Sequence, residues 1–194
     1  MKSAIKGFRS AVLKSAIVFA VCMLLVYLLA WLIPFNVNIP YAVTVTDSRG
    51  EVLHAFLSKD EKWRMKANLN EINPQLVKAI IQKEDRWFYF HYGVNPVAVG
   101  RAVVNNLIYQ RKTSGASTIT MQVSRLLSPA PRTLFNKMFE AFRAVQLENR
   151  YSKKEILEMY LNLIPYGGNI EGVKAASVLY LDKLPADLSL AECV

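Results

Sequence analysis

The pattern of hydrophobic and polar positions divides the chain into two unequal parts. Residues 16–33 form an apolar run without a charged side chain. As an α-helix this run would extend for about 27 Å, close to the thickness of the hydrocarbon core of a bilayer. Beyond residue 40 apolar positions alternate with polar ones, which is typical of a domain whose elements each bury one face.

The charges before the apolar run predict its orientation. Four cations lie within the first fourteen residues, namely Lys2, Lys6, Arg9 and Lys14. Because cations are retained on the cytoplasmic side, residues 1–15 are predicted to be a cytoplasmic tail and residues 16–33 a transmembrane anchor, with everything after Pro40 outside. The first alternative is a cleaved signal peptide, but no small-x-small cleavage site follows the run. A buried core helix is the more distant alternative.

Two β-rich runs follow, at residues 41–46 and 51–57, on either side of a turn that ends at Gly50. This arrangement predicts a β-hairpin. We therefore expect residues 34–68 to be a linker that contains a small hairpin above the membrane.

From residue 73 onward the pattern is helical. Asn73 with Pro74 predicts a helix to about Glu84, and Asn95 with Pro96 predicts one to about Gln110. Further helices are predicted to start at Ser114 or Ser117, at Thr133, at the capping box of Ser152 and at about Gly172. Another capping box, at residues 189–192, predicts a helix that the chain does not contain. Residues 69–194 are thus predicted to be a C-terminally truncated, mainly α domain.

Composition narrows the function classes. The chain is 53% hydrophobic and carries 24 Lys+Arg against 15 Asp+Glu, a net charge of +9. This excess suits an anionic surface or a phosphate-bearing ligand, but outside the N-terminal tail it is too diffuse for a nucleic-acid site. Cys22 and Cys193 form no CxxC motif, which argues against a disulfide framework and a zinc site.

The densest group of chemically active residues is the segment 84–93. Glu84 shares a helical face with apolar positions and ends the predicted helix. Shielding and the negative end of the helix dipole both favour uptake of a proton, as a general base requires. The alternative is a helix-end carboxylate paired with Lys83 or Arg86, and the pattern alone leaves both open.

A second group lies at residues 115–125. A basic loop leads into a predicted helix start with several hydroxyl groups, and free N–H groups at such a start favour a phosphate. Thr118, Gln122 and Arg125 are spaced i, i+4, i+7 and share one face. An ordinary polar helix face would have the same spacing.

Two further motifs complete the pattern. Lys137 and Glu140 are i, i+3 neighbours, which suits either a surface ion pair or a cation and a second carboxylate at a site. Residues 156–162 are predicted to be mostly core, and the glycine-rich segment 165–172 to be a loop close to the site. Lys153 is expected to be an ordinary surface residue.

The motifs, in this order, resemble those of glycosyltransferase family 51. They are Glu-Asp-Arg-x-Phe-x-x-His-x-Gly, Gly-Ala-Ser-Thr-Ile-Thr-x-Gln, Lys-x-x-Glu and Ile-Leu-Glu-x-Tyr-Leu-Asn. This family contains the peptidoglycan glycosyltransferase domains of class A penicillin-binding proteins and monofunctional transglycosylases. Residues 165–172 are most similar to the penicillin-binding protein 1C subgroup.

The resemblance implies a lysozyme-like helical fold that dips into the plasma membrane. It implies polymerisation of lipid II into glycan with release of undecaprenyl pyrophosphate. Glu84 would deprotonate the 4-hydroxyl of the acceptor sugar, and Glu140 would assist departure of the pyrophosphate. The residues expected to bind substrate are Ser117, Thr118, Gln122, Arg125 and Lys137, with Asp85, Phe88 and His91 shaping the floor of the site.

No covalently bound cofactor is implied, although Mg²⁺ or Mn²⁺ could act at the pyrophosphate. The implied partners are lipid II, the growing glycan, membrane lipid and other cell-wall synthesis proteins, and no nucleic acid. The catalytic domain would be extracytoplasmic, on the periplasmic side of the inner membrane.

The sequence differs from the family pattern at two positions, and two alternative functions remain open. Family members often have Lys where Arg125 stands and Arg where Asn136 stands, so one diphosphate-binding cation is missing. A lysozyme-like glycan-cleaving enzyme would also need two glutamates, but it would not need cations beside them. The other rival is an inactive membrane scaffold fragment.

Overall fold

The computed structural model describes residues 2–33, 35–50, 52–109 and 117–193. Within helices, the side chains of residues 2–12, 16, 19, 22, 23, 103, 106, 107 and 109 lie outside the description. The chain divides into two compact units, Met1–Phe35 and Asn36–Val194.

The first unit is one helix, α1 (Lys2–Leu32). It includes residues 16–32 of the apolar run 16–33. Among the described residues, however, none of the helices combines the length and the hydropathy that crossing a membrane requires.

The second unit is mainly α, as predicted. Its first strands, β1 (Val43–Thr46) and β2 (Val52–Phe56), form the expected antiparallel hairpin. The described residues then form the helices α2 (Pro74–Glu84), α3 (Pro96–Tyr109), α4 (Ile119–Leu127), α5 (Leu134–Arg150), α6 (Lys153–Leu163) and α7 (Val173–Leu181). Two short 3-10 helices cover Leu69–Glu71 and Phe88–Phe90. A second hairpin, β3 (Pro165–Gly167) with β4 (Ile170–Glu171), was not predicted.

Local capping explains where most helices begin. The Asn73 side chain accepts a hydrogen bond from the backbone N–H of Gln75 at 2.8 Å, and Ser152 forms the predicted capping box with Glu155. The predicted start of α4 at Ser117 is wrong, because Thr118 accepts the N–H of Met121 at 3.1 Å and is the N-cap. The other predicted cap, Ser114, and the predicted end of α3 at Gln110 lie outside the described residues.

Helix α4 lies at the centre of the second unit, packed against α5 and α6. The fully buried side chains of these three helices include Ile119, Val123, Leu147, Ile156, Leu157 and Leu161. Burying one such side chain contributes about 1.5–3 kcal/mol. Because α4 also carries the second sequence motif, the core holds that motif in a defined place.

Residues 34–68 were expected to be a linker, but from Asn36 onward they belong to the same compact unit as the helices. The buried Arg64 donates hydrogen bonds to Asp60 at 2.9 Å and to Glu171 at 3.0 Å. Burial alone would lower the pKa of Arg64, but these carboxylates outweigh it and raise the pKa. In addition, the N–H of Trp63 donates to the carbonyl of Asn169 at 2.9 Å. The segment is thereby tied to the loop at residues 165–172.

Two glycines allow close approaches that any side chain would prevent. Gly93 has φ +75°, and a Cβ there would lie 2.9 Å from the backbone of Ala144. Gly172 has φ +86°, and its Cβ would lie 2.7 Å from the carbonyl oxygen of Asn162. Both positions therefore favour glycine for conformation as well as for space.

Candidate active site

Glu84 is the last residue of α2, and its exposed side chain borders two pockets. The smaller, of about 320 Å³, is lined by residues that include Lys83, Asp85, Trp87, Arg101, Ser117 and Thr118. The larger, of about 480 Å³, is lined by residues that include Ile80, Gln122, Arg125, Tyr160, Pro165 and Tyr166. A group bound on either side can thus reach the Glu84 carboxylate.

The Glu84 carboxylate is held by a neutral side chain. Gln122 donates from Nε2 to Oε2 of Glu84 at 3.0 Å, and its Oε1 accepts from the hydroxyl of Tyr160 at 3.3 Å. Neither Lys83 nor Arg86 forms an ion pair with Glu84 in the described part of the chain, and the Arg86 guanidinium lies 5.4 Å from the Trp87 ring centroid. The alternative role for Glu84, a helix-end ion pair, is therefore not seen.

Asp85, although adjacent, has different surroundings. It is buried, and its Oδ2 accepts from Nε2 of His91 at 2.8 Å and from the backbone N–H of Ile119 at 3.0 Å. The anion at the start of α4 is consequently this carboxylate, so the helix start that was expected to receive a phosphate is already occupied. Phe88 is also fully buried. His91 thus contacts Asp85 and lies edge to face with the Phe88 ring, and Asp85 lines the smaller pocket.

Thr118 is buried, and its hydroxyl is fully engaged. Oγ1 donates to the carbonyl oxygen of Gly93 at 2.5 Å and accepts from the N–H of Met121 at 3.1 Å. The proposed common face of Thr118, Gln122 and Arg125 is also divided, since Thr118 borders the smaller pocket and the other two border the larger one. The structure thus gives the Thr118 hydroxyl a capping contact and no free donor for a ligand.

Lys137 joins Ser117 to the second glutamate. Its ammonium donates to Oγ of Ser117 and to Oε2 of Glu140, both at 2.7 Å. Ser117 borders the smaller pocket with Glu84, whereas Glu140 borders a third pocket of about 330 Å³. The two predicted catalytic glutamates are therefore connected: Glu84 shares the smaller pocket with Ser117, and Ser117 is linked to Glu140 by the Lys137 ammonium.

Cations are distributed over these pockets. In the described part of the chain the Arg125 guanidinium has no hydrogen-bond or ion-pair partner and faces the larger pocket. Asn136 donates from Nδ2 to the carbonyl oxygen of Pro131 at 2.8 Å. Arg143 borders the third pocket instead, with its guanidinium 4.4 Å from the Phe139 ring centroid. The third pocket thus contains a cation together with Glu140, but this cation is Arg143 and not a residue at position 136.

Sequence reasoning missed two tyrosines at the larger pocket. Tyr160 was assigned to the core, and it is buried, but its hydroxyl points to Gln122. Burial and the nearby Glu84 raise the pKa of Tyr160, so its hydroxyl keeps its proton. Burial also raises the pKa of Tyr166 to about 12. The available signal was that a buried tyrosine usually requires a partner for its hydroxyl.

Lys153, expected to be an ordinary surface residue, is partly buried and has two close partners. Its ammonium lies 2.7 Å from Oε1 of Glu148 and 4.5 Å from the Phe88 ring centroid. Glu148 also accepts a hydrogen bond from Thr120 at 2.7 Å. That expectation is wrong because α6 begins directly against the buried end of α5.

No group of three or more His, Cys, Asp or Glu side chains with the geometry of a metal site occurs among residues 2–33, 35–50, 52–109 and 117–193. Of the described residues that line the third pocket, Glu140 alone is acidic. A single carboxylate fits the way Mg²⁺ is commonly bound, through one or two carboxylates together with substrate phosphates.

The site therefore combines, in a helical domain, two glutamates that border different pockets and are linked through Ser117 and Lys137. Residues 49–194 match the family model described as Transglycosylase, and because the match covers more than half of the chain, the chain belongs to this family. The resemblance drawn from the motifs is thereby confirmed.

Particular relatives share the name penicillin-binding protein. Penicillin-binding protein 1C of Escherichia coli (strain K12) is 44% identical over 162 residues, covering 84% of this chain and 21% of the relative. Penicillin-binding protein 1A of the same organism is 40% identical over 165 residues, covering 80% and 19%. Penicillin-binding protein 1A of Aquifex aeolicus (strain VF5) is 35% identical over 184 residues, covering 89% and 25%. The chain thus spans roughly a fifth to a quarter of the length of these relatives.

Proposed function

We propose that this chain contains a peptidoglycan glycosyltransferase, which polymerises lipid II into glycan strands and releases undecaprenyl pyrophosphate. One observation carries the proposal: an accessible glutamate, Glu84, shares a pocket with Ser117, through which Lys137 and Glu140 are connected to it. A base on one side and a cation with a second carboxylate on the other suit transfer of a sugar from a diphosphate.

In the proposed reaction Glu84 accepts the proton of the acceptor's 4-hydroxyl. The acceptor oxygen forms a bond to the anomeric carbon of the donor as the bond from that carbon to the pyrophosphate oxygen breaks. The electron pair leaves on the pyrophosphate, where negative charge develops. Positioned cations stabilise such charge most effectively in a site that excludes water.

Lys137 is the residue best placed to meet the leaving group. An ammonium has three N–H donors, and two of them are used by Ser117 and Glu140. The third can bind a phosphate oxygen, while Glu140 fixes the position of the ammonium. Arg125 provides a second cation at the larger pocket, where it can act as a bidentate donor.

Mg²⁺ or Mn²⁺ would fit beside Glu140 as an addition to these cations. Such an ion would share its coordination between the Glu140 carboxylate and the diphosphate oxygens. When bound it would neutralise part of the charge on the leaving group. Lys137 would then compete with the metal for the same carboxylate.

We also propose contact with membrane lipid. In the first half of α5, apolar side chains point to solvent, and Leu134, Phe135 and Met138 are all largely exposed. Arg132 and Arg143 lie close to them in sequence, which suits an interface with anionic headgroups. Exposed apolar groups of this kind favour a surface that meets the bilayer carrying the substrate.

Residues 16–33 are proposed to cross the plasma membrane once, with the N-terminus in the cytoplasm and the catalytic domain on the periplasmic side. The uncharged run and the four preceding cations support this orientation. Protease protection in spheroplasts tests it: residues after 40 should be digested from outside. A chain that stays intact under external protease would contradict the proposal.

The activity itself is tested with lipid II and with preformed glycan. The protein, purified in detergent, should convert lipid II into glycan and leave preformed glycan unchanged. If instead it shortens preformed glycan and does not polymerise lipid II, the glycan-cleaving alternative is correct. If it does neither while binding membranes, it is a scaffold.

A further inference from the structure

A row of three polar side chains leads from the core to Glu84. Tyr160 of α6 contacts Gln122 of α4, which contacts Glu84 at the end of α2. We propose that Gln122 and Tyr160 are positioning residues that orient the Glu84 carboxylate toward the acceptor hydroxyl. This inference rests on the proposed function. Gln122 would then act on the base, not as a ligand of the diphosphate.

The chemistry of the partners determines which way the Gln122 amide faces. An ionised carboxylate only accepts hydrogen bonds, so Nε2 must point to Glu84 and Oε1 must point away from it. The group that faces Oε1 is the hydroxyl of Tyr160, which can donate. Because burial keeps this hydroxyl protonated, its donor is present whenever Glu84 is ionised.

Glu84 needs this contact because few other groups fix the orientation of its carboxylate. Its side chain is exposed, it ends a helix, and in the described part of the chain Gln122 is its sole hydrogen-bond donor. The contact holds Oε2 and leaves Oε1 for the substrate. Holding a base in one orientation reduces the entropy lost on reaching the reactive geometry.

The same trio also satisfies the protonated state of Glu84. The proton arrives on Oε1, so Oε2 becomes the carbonyl oxygen of the acid and can still accept from Nε2 of Gln122. Oε1 of Gln122 continues to accept from the Tyr160 hydroxyl. The same amide orientation therefore serves the base before and after it takes the proton.

The competing role for Gln122 is direct binding of the diphosphate beside Arg125. The two roles differ in the kinetic constant that they affect. Loss of a ligand to bound substrate raises KM and weakens binding, whereas loss of a positioning residue lowers kcat with KM nearly unchanged. Tyr160 should follow Gln122 in this respect, because it acts through the amide.

The test uses Gln122→Met, Tyr160→Phe and the double variant in the full chain. We expect kcat for lipid II polymerisation to fall roughly 10- to 100-fold in Gln122→Met and about 2- to 10-fold in Tyr160→Phe, with KM nearly unchanged. In the double variant Tyr160→Phe should add nothing to Gln122→Met, as coupled residues do. Additive losses, or losses confined to KM, would overturn the proposal.

Tyr180→Phe is the matched control. Its hydroxyl also makes a 3.3 Å hydrogen bond, to the carbonyl oxygen of Tyr166, and it does not touch Glu84. We expect its kcat to equal that of the parent. An equal loss in Tyr180→Phe and Tyr160→Phe would mean that any tyrosine hydroxyl near the larger pocket has this effect, and the specific role of Tyr160 would be rejected.

A second measurement separates this inference from the proposed activity. The side-chain NH₂ group of Gln122, followed by NMR after ¹⁵N-glutamine labelling, should show slow exchange of one proton with water. Glu84→Ala and Tyr160→Phe should each abolish that protection, whereas Tyr180→Phe should not. If the protein has no transferase activity but shows this pattern, the function is wrong and the positioning contact stands. If the amide is unprotected in the parent, the positioning role is wrong.

Discussion

The two ends of α5 carry the same kind of ion pair in different surroundings. At the N-terminal end Lys137 and Glu140 lie 2.7 Å apart, with side chains that are 37% and 14% exposed. At the C-terminal end Glu148 and Lys153 of α6 are also 2.7 Å apart, but their side chains are 4% and 20% exposed. One pair borders a pocket and a serine, and the other lies against Thr120 and the Phe88 ring.

The difference shows that the geometry of an ion pair does not reveal its role. A buried carboxylate that loses its cation is left uncompensated in a medium of low dielectric. The Glu148–Lys153 pair, the inner pair, therefore matters for stability. The Lys137–Glu140 pair, the outer pair, has a lysine side chain that is 37% exposed, so solvent screening reduces its contribution to stability. Its cation therefore remains available to a ligand, and we expect loss of the outer pair to affect binding.

The largest effect is expected for Glu84→Gln. This variant tests whether a carboxylate at a pocket contributes to activity, whereas a buried one contributes to stability. Glu84→Gln should lower lipid II polymerisation by ~10²–10⁴-fold, because an amide cannot take up the proton. The thermal unfolding midpoint should stay close to that of the parent, since Glu84 is exposed. The measurement is glycan formation from lipid II together with a thermal melt.

Glu148→Gln is the buried counterpart of this change. It should lower the unfolding midpoint and leave the kcat of the remaining folded protein nearly unchanged. A Glu84→Gln variant that polymerises at the parental rate would place the base elsewhere.

The second prediction concerns the outer cation. Lys137→Ala should weaken binding of lipid II, or of a phosphoglycolipid inhibitor, by about 10- to 150-fold, the range for a charge-assisted hydrogen bond. A binding titration at fixed ionic strength measures it, because exposed charge contacts weaken with salt. Lys154→Ala, an exposed lysine with no partner in the described part of the chain, is the control and should bind like the parent.

An unchanged affinity for the diphosphate lipid, combined with lost activity on polymeric glycan, would contradict the transferase. The glycan-cleaving alternative would then explain the data better.

The third prediction concerns the inner cation. Lys153→Ala should reduce the free energy of unfolding by about 1–3 kcal/mol, less than for a fully buried pair because the lysine is partly solvated. Urea denaturation measures the change, and Lys137→Ala should cost less than about 1 kcal/mol in the same experiment. Equal losses in the two variants would remove the distinction between the ends of α5.

The smallest effect is expected at Arg125. Arg125→Lys keeps the charge at the larger pocket and loses only the bidentate geometry, so lipid II affinity should fall by no more than about fivefold. The same titration checks this, with Arg125→Ala as the stronger variant of the pair. A loss in Arg125→Lys as large as in Arg125→Ala would mean that the planar guanidinium itself is required.

Most of the fold could be predicted because its signals are local. Asn73, Thr133 and Ser152 each cap the helix that follows them, and the turn before residue 51 gives the predicted hairpin. The second hairpin, which also bridges to Trp63 more than a hundred positions earlier, was not predicted. Short strands of two or three residues have too little periodicity to be recognised.

The candidate site shows the same division. Glu84, Lys137 and Glu140 could be named from their motifs, and the structure places them around connected pockets. The engagement of Thr118 could not be predicted, because its hydroxyl donates to Gly93, 25 positions earlier. Likewise, the carboxylate of Asp85 reaches the backbone of Ile119 across 34 positions.

The sequence by itself determined that the domain is mainly α, where most of its helices begin and which residues carry the chemistry. Those properties depend on neighbours within one or two turns of the chain. Only the tertiary structure decided which of two equal ion pairs is buried, which anion lies at the start of α4 and which side chain holds Glu84. Each of these depends on packing between α2, α4, α5 and α6, where a distance of a few ångströms separates a solvated charge from a buried one.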